Sequence, residues 1–321
     1  MKWKPAAERQ ALALRARLLE TARRFFSDRG VMEVQTPVLV SSSCPDPNIP
    51  SIVARPSHSD PMYLHTSPEH AMKRLLCAGS GDIYQICPVF RDGEAGRYHN
   101  PEFTMIEWYR IGYSHLRVAD ETVALIQQLL AVCGRPNAPT EQISYHEAFM
   151  RYAGIDPHTA DAGELAKVCE SSGVEVPDSV AEDRDALLDL LLGVVVAANF
   201  APERFYVLHD YPATQAALAC IREDTPPVAE RFEVFFGGME LANGFHELGD
   251  AVEQRSRFQS EQARYRLSGK ATSPLDENLL AALESGLPDC AGVALGFDRV
   301  AMLAAGKNRL SDVIAFPIDR A

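Results

Sequence analysis

Residues 97–110 read RYHNPEFTMIEWYR, and the reading of this stretch decides the fold. A strand in a soluble protein usually alternates apolar residues toward the core with polar residues toward water. Here Arg97, His99 and Asn100 precede an alternating run whose polar members are Glu102, Glu107 and Tyr109, set among Phe, Met, Ile and Trp. Taken as a strand, residues 101–110 place Phe103, Met105, Glu107 and Tyr109 on one face by their period of two. A carboxylate and a phenol then point the same way as an aromatic ring.

Working outward, DIYQICPVF (82–90) reads as an antiparallel partner, and the intervening loop carries Arg91, Asp92, Glu94, Arg97, His99 and Asn100. A second stretch, MELANGFHE (239–247), repeats the arrangement: Asn243, Phe245 and Glu247 share a face. Glu240 has the other parity, unless a bulge near Gly244 re-aims it. The last strand, GVALGF (292–297), is rich in small residues, as expected where a ligand approaches the backbone, and runs into Asp298 and Arg299. Carboxylates and a Tyr suit an ammonium, and arginines grip carboxylate or phosphate oxygens. Aromatic rings sandwich a base or a cation, and paired acids can hold Mg²⁺ against phosphates. The set suits a ligand carrying an ammonium, a carboxylate, a planar base and phosphates.

The rest of the chain fits an α+β class. Helical periodicity over 6–29 stops at Gly30, a strand over 31–40 is broken by Pro37, and 41–50 is a loop. MYLHT (62–66) is a short strand. Ser67, Pro68 and Glu69 read as N-cap, first helical position and acidic first turn of a helix to about Cys77. Helices are expected at 116–132, from the capping box Ser144–Glu147, and at 165–170, 183–198 and 250–268. Strands are expected at 204–208, 230–237 and 239–247, and a closing helix at 298–306. The segment from about 135 to 200 reads as a helical insertion in one domain spanning 1–321. No G-x-G-x-x-G or P-loop pattern appears. A net charge of −13 opposes nonspecific binding to nucleic acid or anionic membrane. The seven cysteines form no C-x-x-C pair, so reduced, small buried hydrophobes are expected. No stretch reads as a signal peptide, the longest apolar run (190–198) is too short to span a bilayer, and the cytoplasm is the default.

At these motifs the chain resembles the catalytic domain of class II lysyl-tRNA synthetases over nearly its whole length. FFSDRGVMEVQTPVL is similar to motif 1, FRDGEAGRYHNPEFTMIEWYR to motif 2 and GVALGFDRVAML to motif 3. TSPEHAMKRLL and MELANGFHEL match the lysine-family signatures. The resemblance implies a mainly antiparallel sheet flanked by helices, a homodimer, and ATP with Mg²⁺. It assigns Arg91 to the α-phosphate and the amino-acid carboxylate, and His99 and Asn100 to the triphosphate and ribose. Phe103 would stack on adenine, and Arg299 would hold the γ-phosphate. Asp92, Gly93, Glu94, Leu241 and Gly296 would complete the ATP site, and Glu233 and Glu240 would hold Mg²⁺. Ser67, Pro68 and Glu69 would face the amino end of the substrate, Asn243 its carboxylate, and Glu107, Tyr109 and Glu247 the distal ammonium.

Three departures narrow the reading. Motif 1 begins near residue 20, which leaves no room for an N-terminal OB-fold that reads an anticodon. Such a shortened paralogue resembles the elongation factor P lysine ligases, which implies elongation factor P as partner, lysine or (R)-β-lysine as substrate, and no stable tRNA binding. Ala294 stands where motif 3 has Gly, and its methyl group should crowd an α-ammonium and leave room for an amine displaced by one carbon. Gly93 stands where motif 2 has Glu, with Glu94 next to it. The alternatives are tRNA aminoacylation, a silent regulatory paralogue, and a small-molecule amide-forming ligase similar in fold to asparagine synthetases.

Overall fold

In the computed structural model, residues 3–44, 49–57, 60–135, 137–267 and 273–321 are described, so part of the loop expected at 41–50 lies outside the described residues. The chain groups into two compact units, one within residues 1–113, 124–136 and 248–321, the other within 114–123 and 137–247. The first begins with α1 (Arg9–Ser27), β1 (Met32–Glu33), β2 (Leu39–Val40), β3 (Val53–Ala54), β4 (Met62–Leu64), α2 (Glu69–Cys77), β5 (Ile83–Phe90) and β6 (Glu102–Ile111). After α3 (His115–Ala131) the second unit runs through β7 (Thr140–Ser144), α4 (Tyr145–Tyr152), α5 (Ala162–Ser171), α6 (Arg184–Leu191), β8 (Phe205–Pro212), β9 (Ile221–Arg222), β10 (Val228–Phe236) and β11 (Met239–His246). The chain returns to the first unit with α7 (Ala251–Leu267), α8 (Glu277–Ser285), β12 (Cys290–Gly296) and α9 (Phe297–Ala304).

In the first unit the strand order is β1-β5-β6-β12, with β1 parallel to β5 and the other pairs antiparallel. A separate small sheet has the order β2-β4-β3. The expected strand at 31–40 is therefore two short strands in different sheets, because Pro37 lacks the N–H that a ladder needs. The alternation of β6 divides its burial between two coverings. On one side Phe26 of α1 stacks on Tyr84 at 4.2 Å and meets Trp108 edge-on at 5.2 Å. On the other, Met72 and Leu76 of α2 pack with Ile83, Tyr109 and Cys290.

In the second unit β11-β10-β8-β7 form the sheet, antiparallel except for β7 with β8, and β9 pairs with β10. Helices α4, α5 and α6 bury Tyr145, Phe149, Leu165, Leu187 and Leu191 in one cluster with Tyr206, Leu208 and Phe235 of the strands. The expected capping box is formed: Ser144 Oγ accepts from Glu147 N at 3.2 Å, and Glu147 accepts from Ser144 N at 3.0 Å. A second, Asp161 with Glu164, opens α5.

The region from 135 to 200 is not wholly helical, since β7 lies inside it; its polar TEQIS gives little strand signal, and only Ile143 is buried. The helix expected over 183–198 is helical from Arg184 on: α6 widens over Leu192–Val196, which contains Gly193, and tightens into a last turn at Ala197–Asn199. β8 runs farther than expected, and α8 was not read from the sequence. All seven cysteines are free thiols; Cys87, Cys169 and Cys290 are buried and the rest half-buried. Among the described residues no helix is long and apolar enough to cross a membrane.

Candidate functional site

The opening stretch builds the centre of the first unit's site. Glu107 is only 2% exposed, although it is a carboxylate. Its two oxygens are held separately: Ser67 Oγ donates to Oε2 at 2.7 Å and Tyr109 Oη donates to Oε1 at 2.7 Å. A buried charge is tolerated only when hydrogen-bonded or paired. The register sets Ala294 of β12 directly opposite Glu107, with Gly292 opposite Tyr109 and Gly296 opposite Met105. Small side chains thus border the carboxylate on that strand, and Ala294 and Gly296 are half-exposed while Val293 and Leu295 are buried on the other face.

Beside it, α2 presents Glu69. The helix starts one residue later than expected, with Pro68 in the cap position, yet Ser67 Oγ still accepts from Glu69 N at 3.0 Å. Ser67 therefore fixes both a carboxylate and a helix start. Lys73, one turn on, donates to Glu69 Oε1 at 2.6 Å and is itself almost wholly buried.

Arg91 follows β5, and its backbone N–H donates to Pro101 O at 2.9 Å, closing the loop. Its guanidinium lies 5.1 Å from the Phe103 ring centre, and Nη1 sits 3.5 Å from Glu94 Oε1. Its Nε is buried with no hydrogen-bond partner in the protein. Glu94, not Gly93, thus supplies the carboxylate beside the arginine; Gly93 makes the turn at φ +77°, and Asp92 is exposed. Across the loop, Arg299 Nη2 donates to His99 Nε2 at 2.9 Å. Asn100 is turned away from that pair: its amide donates to Glu102 O at 2.6 Å and accepts from Ile318 N at 3.0 Å.

Arg299 is positioned by its neighbour. Asp298 is buried, pairs with Arg15 of α1, and accepts from Thr104 N at 2.9 Å. Burial pushes its carboxyl up and Arg15 opposes that shift. These bonds tie the start of α9 to β6.

In the second unit the register puts Glu233 opposite Asn243 and Arg231 opposite Phe245, all on one face. Val234 then pairs with Ala242 and Phe235 with Glu240, so Leu241 is an extra residue. This bulge moves Glu240 onto the face of Glu233. The sequence parity left Glu240 on the wrong side unless a bulge lay near Gly244; the bulge exists, but at Leu241. Leu241 itself buries its side chain. Glu233 is almost wholly buried, and its pKa is pushed up to about 7, by burial first, with Arg231 opposing and Glu240 adding to the rise. Arg231 donates to Glu233 Oε1 at 2.6 Å, to Asn243 Oδ1 at 3.2 Å and to Gln215 O at 3.0 Å, with its guanidinium 4.4 Å from the Tyr211 ring. Glu247 is buried just beyond β11, where its neighbourhood bridges to Ala219.

A mutually repelling acid pair with one member held near neutrality is a donor set that fits a divalent cation. Among the described residues no group of three or more His, Cys, Asp or Glu could hold a metal by itself. Glu233 and Glu240 would therefore need phosphate oxygens to complete the shell.

Sequence reasoning passed over Arg231, Lys73 and Arg15. Arg231 was within reach, because it stands two residues before Glu233 on the same strand face. Lys73 was too, at helical spacing from Glu69. Nothing local marks Arg15, whose partner lies near the other end of the chain.

Comparison with known proteins places this geometry. A family model described as tRNA synthetases class II (D, K and N) matches residues 1–320. Curated proteins named elongation factor P–(R)-β-lysine ligase are similar along the whole chain. Those from Klebsiella pneumoniae and Salmonella arizonae are 47% identical, and that from Edwardsiella ictaluri is 48% identical, each over 99% of this chain and 98% of the relative.

Proposed function

The chain belongs to the class II tRNA synthetases (D, K and N), among the elongation factor P–(R)-β-lysine ligases, and from this we propose that it joins (R)-β-lysine to a lysine side chain of elongation factor P at the expense of ATP. The observation that carries the amino-acid half of this reading is the sequestered Glu107, cradled by two hydroxyls opposite Ala294. A carboxylate held in place by two hydroxyl donors is suited to receive a substrate ammonium.

The first step forms a bond between the substrate carboxylate and the α-phosphorus, releasing pyrophosphate. The second forms an amide when the acceptor's neutral amine attacks the mixed anhydride, releasing AMP. Neither step needs a hydroxyl or thiol nucleophile from the protein, so catalysis is alignment and charge neutralisation. Arg91 is suited to bridge the substrate carboxylate and the α-phosphate, since Nε has no protein acceptor. Phe103, lying under that guanidinium, offers a ring for adenine, and Arg299 takes the terminal phosphate with His99 beside it. Glu69 receives the amine nearer the carboxylate, with Lys73 balancing its charge. Asn243 donates to the carboxylate, and Glu107, Tyr109 and Glu247 receive the distal ammonium. Glu233 and Glu240 would hold Mg²⁺, which neutralises phosphate charge when bound. In this reading the enzyme is a cytoplasmic homodimer that forms no stable complex with tRNA, in keeping with its net charge of −13.

The test is amino-acid-dependent ATP–pyrophosphate exchange with Mg²⁺, followed by transfer of labelled (R)-β-lysine with elongation factor P and tRNA offered side by side. Label on elongation factor P alone is expected. Label on tRNA alone would reassign the acceptor, and no exchange with any lysine isomer would remove the enzyme reading.

A further inference from the structure

One buried polar group on the face of Glu107 has no part in the roles above. Gln85 lies on β5 directly opposite Glu107, which lies directly opposite Ala294 on β12. The three side chains form one cross-strand row, with neighbouring Cβ atoms about 5 Å apart. Gln85 is only 2% exposed, and its Oε1 is buried with no hydrogen-bond partner in the protein. Two residues on, along the same face, the Cys87 thiol receives a hydrogen bond from the Gln85 side chain. That bond uses the amide N–H, and the carbonyl is the end left over. Buried polar atoms are almost always satisfied in folded proteins. An orphaned acceptor beside a sequestered carboxylate points to a donor that comes from outside the chain.

We infer that Gln85 is a specificity-determining residue, whose carbonyl oxygen accepts a hydrogen bond from the ammonium that Glu107 receives. The inference rests on the reading of Glu107 as the partner of the distal ammonium. An ammonium carries three N–H donors and no acceptor. Glu107 already accepts one bond on each oxygen, from Ser67 and Tyr109. Gln85 adds a further acceptor from the neighbouring strand without adding another negative charge. A carboxylate at 85 would stand about 5 Å from Glu107, close enough for one of the two to take up a proton. A neutral acceptor therefore gives the pocket direction without that competition for a proton. It also penalises a ligand that presents a methyl group where the ammonium belongs, because Oε1 then stays unpaired.

The experiment measures pyrophosphate exchange for the wild type, Gln85→Met, Gln85→Glu and Glu107→Gln, with thermal melting to score folding. The probes are (R)-β-lysine and its analogue with a methyl group in place of the distal ammonium. Gln85→Met keeps the length and removes the acceptor. It should raise KM for (R)-β-lysine by about ten- to a hundredfold, leave KM for ATP unchanged, and leave the weak use of the methyl analogue unchanged, so that discrimination between the two probes collapses. Gln85→Glu should retain binding but acquire a pH-dependent KM, from the coupled carboxylates. If Gln85→Met leaves KM for (R)-β-lysine within about twofold while Glu107→Gln raises it, the inference is overturned and the role of Glu107 stands. If neither variant changes KM, the role of Glu107 falls and the inference with it. Should Gln85→Met fail to fold, the pH profile of Gln85→Glu decides, and a flat, wild-type profile overturns the inference.

Discussion

At residue 294 a single methyl group stands opposite Glu107 in the register. If that methyl sets the distance between the substrate's inner amine and its distal ammonium, Ala294→Gly should improve use of α-lysine relative to (R)-β-lysine. One methyl in a packed pocket is worth roughly 1–3 kcal/mol, so the ratio should move by about ten- to a hundredfold. The ATP requirement should barely change. Exchange kinetics on both isomers checks this, and an unaltered ratio would remove Ala294 from isomer choice. Glu107 should be far less tolerant. Glu107→Gln removes one of the two carboxylates that receive the buried ammonium, which costs on the order of 3–5 kcal/mol of amino-acid binding. The opening stretch made Glu107 and Tyr109 legible as a pair, since a period of two holds whatever the tertiary context. Gln85 escaped notice because its neighbours, Tyr84, Ile86 and Cys87, make it look like a stray polar residue on a core strand. Only the register shows that it borders the carboxylate.

Elements carry information that residues do not. The bulge at Leu241 decides whether Glu240 joins Glu233 or faces away, and no composition rule in MELANG locates the extra residue. Parity from Glu247 backwards works as far as Ala242 and then fails by one. The helices of the second unit were legible where a cap announces them, as at Ser144, while the widening of α6 after Leu191 was not. Prediction at this scale concerns stability alone. Ser144→Ala removes one half of a capping box and should cost about 1 kcal/mol, read as a lower melting temperature. The Michaelis constants for ATP and (R)-β-lysine should stay as they are, because no site residue lies on α4. A change in either constant would mean that α4 helps to shape the site.

For the molecule as a whole, pH is the informative variable. Glu233 is raised from about 4.5 to about 7 in the folded chain, by burial first and then by Glu240 against the pull of Arg231. Below the lower value both folded and unfolded chains hold the proton, and nothing is lost. Between the two values the unfolded chain releases it and the folded chain keeps it, so folding stability falls as pH rises through that window. Above the upper value the whole penalty is present. The melting temperature of the wild type should therefore decline more steeply than that of Glu233→Gln from about pH 5 to about pH 7.5. Added Mg²⁺ with ATP should recover more stability at the upper end than at the lower. Parallel slopes in the two proteins would show that Glu233 titrates normally. The α+β class follows from the sequence alone, because alternation and caps survive any packing. The contacts that span the chain, such as Arg15 with Asp298, do not.

The free thiols have a chemical consequence. Burial raises the pKa of Cys77, Cys133 and Cys169, and pushes Cys87, next to Gln85, up to about 12. Peroxide and alkylating agents attack the thiolate, and at neutral pH these four sulfurs are almost entirely protonated. Oxidants that silence enzymes with activated cysteines should therefore react slowly with these four. Iodoacetamide at neutral pH should leave pyrophosphate exchange intact and Cys87 unlabelled in the native protein, while unfolding in denaturant should expose Cys87 to labelling. Labelling of native Cys87 at the rate of a free thiol would contradict the shielding that the pocket wall provides.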